Sequence, residues 1–136
     1  MSFTPAELAY LQSQYLGRLA TVDGKGAPQN NPVGFSVNDD GSIDIGGRAM
    51  GASKKFRNVQ ANPSVALVID DLASVNPWTV RGVEIRGEAE TVVKEQPADS
   101  YMSSDFIRIH PRRVVAWGVE PDAPGMTKRS FAPEST

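Results

Sequence analysis

From Gly17 onward the apolar residues fall in period-two or short continuous runs, and turn signals separate them. Runs of this kind build strands. Leu19-Ala20-Thr21-Val22 reads as a strand, and Asp23-Gly24-Lys25-Gly26 as a turn with residues suited to positive φ. Pro28 to Val37 reads as a second strand, with Pro32 marking an edge or a bulge. Asn38 to Gly41 turns again before a third strand, Ile43 to Gly46. Val65 to Ile69 is a buried strand, Val80 to Val92 a long strand or a bent pair broken at Gly82 and Gly87, and Ile107 to Val119 closes the set. Two helices interrupt this pattern. Thr4-Pro5-Ala6-Glu7 is a capping box with proline at the first helical position, predicting a helix from Pro5 to Gln14. A second helix covers residues 53–61 and stops before Asn62-Pro63. Strands outnumber helices, and the connections are too short for repeated parallel crossovers, so the expected architecture is an antiparallel barrel or sandwich. Residues 1–119 form one domain, and 120–136 a C-terminal arm or flexible tail.

Composition narrows the chemistry. The chain has 136 residues and a net charge of -2, so the whole molecule does not attract nucleic acid or an anionic membrane. With no cysteine there is no disulfide framework, thiolate metal site or thiol nucleophile. No apolar run approaches the ~18 residues of a membrane span, and the start lacks the pattern of a signal peptide. The expected location is the cytoplasm. His110, the only histidine, precedes Pro111 near a strand start and reads as structural. Asp39-Asp40 and Asp70-Asp71 read as solvated pairs, and no cluster offers a metal site. No side chain stands out as catalytic, so chemistry must come from a bound cofactor.

The informative segment is Ser53-Lys54-Lys55-Phe56-Arg57-Asn58. Ser53 is a good N-cap, yet Lys54, Lys55 and Arg57 crowd the first turn, where the helix already presents its positive end. Each such cation costs about 0.3–1 kcal/mol when unscreened. A bound phosphate removes the conflict, because open N–H groups, a hydroxyl and cations together make an anion site. The alternative is a solvated basic helix. On the helix wheel Phe56 and Val59 share one side, while Lys54 and Asn58 lie on the opposite, accessible side. Gly46, Gly47 and Gly51 would let backbone approach a ligand around Arg48. Trp78 and Trp117 have the size to wall an aromatic ligand or to pack a core or a dimer interface.

The order of elements, with Ser-x-Lys followed by Asn62-Pro63 and Val65-Ala66-Leu67-Val68, resembles the pyridoxamine 5'-phosphate oxidase-like family of FMN-binding split barrels. The likeness runs from Ala6 to Val119. It implies a mainly β, antiparallel split β-barrel that dimerises with itself and holds a flavin or deazaflavin between subunits. Carried over by position, Ser53, Lys54 and Lys55 would hold phosphate with Asn58 beside them. Asn31, Pro32 and Val33 would offer backbone to the ring, Gly46, Gly47 and Arg48 would flank it, and Trp78 would border it. Pro-Val-Gly-Phe and Ile-His-Pro-Arg-Arg-Val resemble the smaller actinobacterial group that uses the deazaflavin coenzyme F420. The implied function is F420-dependent hydride transfer to a small organic substrate, with FMN as the alternative cofactor. A non-catalytic cofactor-binding protein is the second reading. Nucleic-acid binding through Lys54–Arg57 is opposed by the acidic net charge. The C-terminal substrate-phosphate segment of the vitamin B6 oxidases is not matched by Lys128-Arg129 and the polar residues after them.

Overall fold

The computed structural model describes residues 3–122 and 125–132. The first helix starts as its residues require. Thr4 Oγ1 accepts from the Glu7 amide at 3.1 Å, and the Glu7 carboxylate accepts from the Thr4 amide at 3.0 Å. This reciprocal cap opens α1, Pro5–Gln12.

The strands follow as β1 Leu16–Val22, β2 Pro28–Gly34, β3 Ser36–Val37, β4 Ile43–Ile45, β5 Ser64–Val75, β6 Trp78–Val93, β7 Asp105–Trp117 and β8 Met126–Ser130. A 3-10 turn, Met50–Ala52, leads into α2, Lys54–Ala61. All strand pairings are antiparallel, in the order β2-β1-β5-β6-β7-β4-β3, with β8 also on β7. The two ends of that order, β2 and β3, are successive in the chain and separated only by Phe35. Chain continuity therefore draws the ends together, and the sheet curls into a split barrel. Inward-facing Leu19, Leu67, Ile69, Ile85, Ile107 and Ile109 are at most 1% exposed and fill it. Burying each such side chain contributes about 1.5–3 kcal/mol.

Several expectations change here. Pro28–Val37 is two strands, because the chain must leave one sheet edge for the other at Phe35. Pro32 does lie in an edge strand, where its missing N–H removes no ladder bond that the sheet needs. The bend in β6 falls at Gly87 alone. There Arg112 is the extra residue of β7, and a Cβ on Gly87 would collide with the His110 carbonyl. Gly82 instead leaves room for the Trp117 ring. His110 lies within β7 rather than at its start, with Nε2 2.6 Å from Glu90.

Asp70 and Asp71 are strand residues rather than solvated loop. Asp70 pairs with Arg18, and Asp71 takes both Arg81 nitrogens and the Tyr10 hydroxyl. Residues 71–79 form the end of the β5–β6 hairpin. Beyond Glu120 the chain carries β8. The buried Glu7 carboxylate receives the Arg129 guanidinium at 2.7 Å, which ties β8 to α1. The rest of the expected arm, 123–124 and 133–136, lies outside the described residues.

Candidate cofactor site

The start of α2 stands at one end of the barrel. The helix leads directly through Asn62-Pro63 into β5, and Gly24 of the β1–β2 turn packs near Ala61. Ser53 caps it, accepting from the Phe56 amide at 3.3 Å and donating to the Met50 carbonyl at 2.6 Å. That second bond holds the hydroxyl hydrogen inside the chain. The Lys54 and Lys55 amides have no acceptor among the described residues, as expected at the first positions of a helix.

Charge is distributed unevenly. Arg18, Arg81, Arg86, Lys94, Arg108, Arg112 and Arg129 each pair with a carboxylate. Among the described residues Lys25, Arg48, Lys54, Lys55, Arg57, Arg113 and Lys128 pair with none, and four of these, Arg48, Lys54, Lys55 and Arg57, fall within one short segment. Arg57 turns back to donate to the Ala52 carbonyl at 3.0 Å. Arg48 lies over the Tyr101 ring, 5.4 Å from its centroid.

Asn58 departs from expectation. It is 4% exposed, not accessible, and its amide donates to Thr21 Oγ1 and Gln29 Oε1, each at 3.0 Å. A polar residue on the wheel beside Lys54 was read as solvent-facing, but the β1–β2 hairpin covers that side of the helix. Asn58 thus locks α2 onto β1 and β2.

The other expected residues divide by distance. Asn31, Pro32 and Val33 lie on β2 opposite Leu19, Arg18 and Gly17. They follow Gln29 by two to four residues, about 7–13 Å along the strand. The outer edge of β2 is unpaired, so its backbone is available there. Gly46-Gly47-Arg48 follow β4 at the α2 end of the barrel. The close approach at Gly46 is made by Met102 and Phe106, and at Gly51 by Asp105, each of which occupies the place of a Cβ.

Trp78 is elsewhere. Ser64 at the α2 end and Val75 beside Trp78 bracket β5, about 35 Å of strand. Trp78 is 69% exposed at that far end, beyond reach of a ring whose phosphate sits on α2 of the same chain. Trp117 packs over Gly82 in the sheet. A separate groove of about 360 Å³ between α1 and β6, lined by Tyr10, Arg81 and Val119, is also at the Trp78 end.

Two features escaped the sequence reading. Asp44, 1% exposed, receives Lys94 at 2.9 Å and both Arg108 nitrogens at 2.8 and 3.0 Å. Burial pushes its carboxyl up, but the Arg108 and Lys94 hydrogen bonds outweigh that and hold it at about 2. The other is Tyr101, an exposed aromatic in a loop of serines, proline and aspartate, whose composition was its one signal.

The pyridoxamine 5'-phosphate oxidase family model matches residues 3–132. This chain belongs to the pyridoxamine 5'-phosphate oxidase family. The chain is 46% identical over 124 residues to a 5a,11a-dehydrotetracycline/5a,11a-dehydrooxytetracycline reductase of Streptomyces rimosus, covering 90% of this chain and 87% of that protein. It is thus an oxidoreductase of this family, as the family resemblance implied. Two solved structures share the fold. A conserved hypothetical protein of Mycobacterium tuberculosis superposes with a TM-score of 0.66 at 24% identity, over 86% of each chain. A putative pyridoxamine 5'-phosphate oxidase of Listeria innocua does so with a TM-score of 0.62 at 23% identity, over 82% of this chain and 94% of that one. Among the described residues, no helix is long and apolar enough to cross a membrane.

Proposed function

We propose that this protein is a cytoplasmic, homodimeric reductase that uses the deazaflavin coenzyme F420 to reduce a small organic substrate. One observation carries the reading. Arg48, Lys54, Lys55 and Arg57 lack carboxylate partners among the described residues and fall together within residues 48–57, which contain the two open amides at the start of α2, whereas the other cations without a carboxylate partner, Lys25, Arg113 and Lys128, are scattered along the chain. A phosphate satisfies that arrangement. From the clamp, the free edge of β2 at Asn31-Pro32-Val33 is at the distance where a ring joined through its phosphate chain would lie. Gly46 and Gly47 border the same end. Ser53 would join the clamp by turning its hydroxyl from Met50, and Asn58 would act by holding α2 in place. When bound, the reduced cofactor supplies a hydride. The protein's part is to grip the phosphate, orient the ring against backbone and shield it from water.

The reductase of Streptomyces rimosus supports reduction rather than oxidation as the direction, and a small organic molecule as the substrate. FMN fits the same phosphate clamp and is the alternative. Trp78 would border the ring only of a second subunit, which makes the dimer part of the site.

The test is the pair Lys54→Ala and Lys55→Ala, titrated with F420 and with FMN. Charge-assisted hydrogen bonds contribute about 1.5–3 kcal/mol each, so affinity for either cofactor should fall more than about tenfold. The melting temperature without cofactor should hold or rise, because like charges are relieved. Unchanged affinity would move the phosphate away from α2.

A further inference from the structure

We infer, on the strength of that reductase reading, that the groove between α1 and β6 binds the substrate, a neutral carbonyl compound of fused-ring size, through the Arg81 guanidinium. The groove's volume, about 360 Å³, is in the range of pockets that hold small organic molecules. Ala6, Ala9, Tyr10 and Val119 make most of its wall apolar, and Arg81 supplies a charged group. Ala6 and Ala9 stand one helical turn apart on α1, and their small side chains leave the groove its width.

Arg81 is held in one place. Its Nε and Nη2 donate to the two Asp71 oxygens at 3.0 and 2.7 Å, and its guanidinium carbon lies 5.1 Å from the Tyr10 ring centroid. Tyr10 is buried, and its hydroxyl donates to Asp71 at 2.7 Å. Burial, and then that hydrogen bond, push the phenol well above its ordinary range, so it remains a neutral donor. Arg81 Nη1 has no acceptor among the described residues. Asp71 already offsets the guanidinium charge, so the open N–H favours a neutral oxygen over a carboxylate, which Asp71 would repel. A carbonyl accepts that N–H without adding a charge, and the apolar wall suits the carbon skeleton that carries it. Arg81 also lies three residues from Trp78, about 10 Å along β6. In the proposed dimer Trp78 would border the opposite subunit's ring, so a fused-ring molecule held by its carbonyl at Arg81 extends toward that ring.

The full chain without cofactor is titrated with three probes: fluorenone, fluorene, which lacks the carbonyl, and a fluorenone carboxylate, which adds a charge. The parent protein should bind fluorenone about threefold or more tighter than either of the others. Ala9→Leu, at an exposed helix position where leucine is well tolerated, fills the groove and should weaken fluorenone more than about tenfold. Arg81→Lys keeps a cation beside Asp71 but loses the fork, and should weaken fluorenone about three- to tenfold while leaving fluorene unchanged. With F420 or FMN bound, whichever the protein takes, saturating fluorenone should perturb the cofactor's absorption band in the parent protein and not in Ala9→Leu. Unchanged fluorenone affinity in Ala9→Leu would put the probe outside the groove, and equal weakening of fluorene and fluorenone by Arg81→Lys would make Arg81 only a wall. Tighter binding of the carboxylate would make the groove an anion site, and an unperturbed band would separate the groove from the ring. Each of these overturns the inference. Lys54→Ala with Lys55→Ala should bind fluorenone as the parent does, so failure of the phosphate clamp and failure of the groove are read apart.

Discussion

Asp44 joins the residue chemistry of this protein to its stability. Its carboxyl is held at about 2, below the 3.8 of an unfolded chain, by Arg108 and Lys94 against the cost of burial. A depressed carboxyl stabilises the fold above its unfolded value and loses that contribution as pH falls through its folded value. Acid unfolding should therefore draw on Asp44 between about pH 4 and pH 2. Asp44→Asn should lower stability near neutral pH by about 2 kcal/mol and flatten the acid limb, measured by urea unfolding across that range. An acid limb as steep as the parent's would show that other carboxyls govern it. None of this was legible in the sequence, where Asp44 alternates with two isoleucines as a solvent-facing strand residue would. Its partners come from β7 and from beyond β6, and only folding assembles them. Asn58 was misread for a related reason. The helix wheel locates a residue on a face, but the hairpin that covers the face comes from another element. Ser53 was legible because an N-cap is a local signal, and Lys54 and Lys55 because their positions oppose the helix dipole.

Among the elements, α1 and α2 were readable because their caps lie in adjacent residues. The split of Pro28–Val37 into β2 and β3 was not, since it depends on where the two ends of the sheet meet. The β5–β6 hairpin was also underestimated. Beyond Val68 β5 loses β1, and before Gly82 β6 loses β7, so its end is a two-stranded ribbon. That ribbon exposes Leu72, Val75, Trp78 and Val80. A bare ribbon of this kind is marginal in water, and its apolar side chains call for cover. A second copy provides it in the proposed dimer. Val75→Ser with Trp78→Ser should shift the protein from a dimer to a monomer at micromolar concentration, read by light scattering. It should also weaken cofactor binding, since in the proposed dimer Trp78 would border the opposite subunit's ring. A parent protein of monomeric mass would refute the two-subunit groove.

At the scale of the whole molecule, strand patterning pointed to an antiparallel β protein, and the resemblance pointed to the split barrel that the sheet order now displays. The family and its oxidoreductase character follow from the match over residues 3–132 and the reductase relative. Phosphate chemistry alone does not separate F420 from FMN, since both present one phosphate and a tricyclic ring. Charge beyond the phosphate does. F420 continues into a carboxylate tail, which in the proposed reading Arg48 would meet, while Arg57 is turned toward Ala52. Exposed pairs contribute about 0–1 kcal/mol each and weaken with salt. The central claim is thus tested most directly by titrating F420 and FMN into the apo-protein at low and at high ionic strength. Tighter binding of F420, with the gap to FMN narrowing as salt rises, is the predicted result. Tighter binding of FMN under both conditions would contradict it and make the protein a flavin-dependent member of the family.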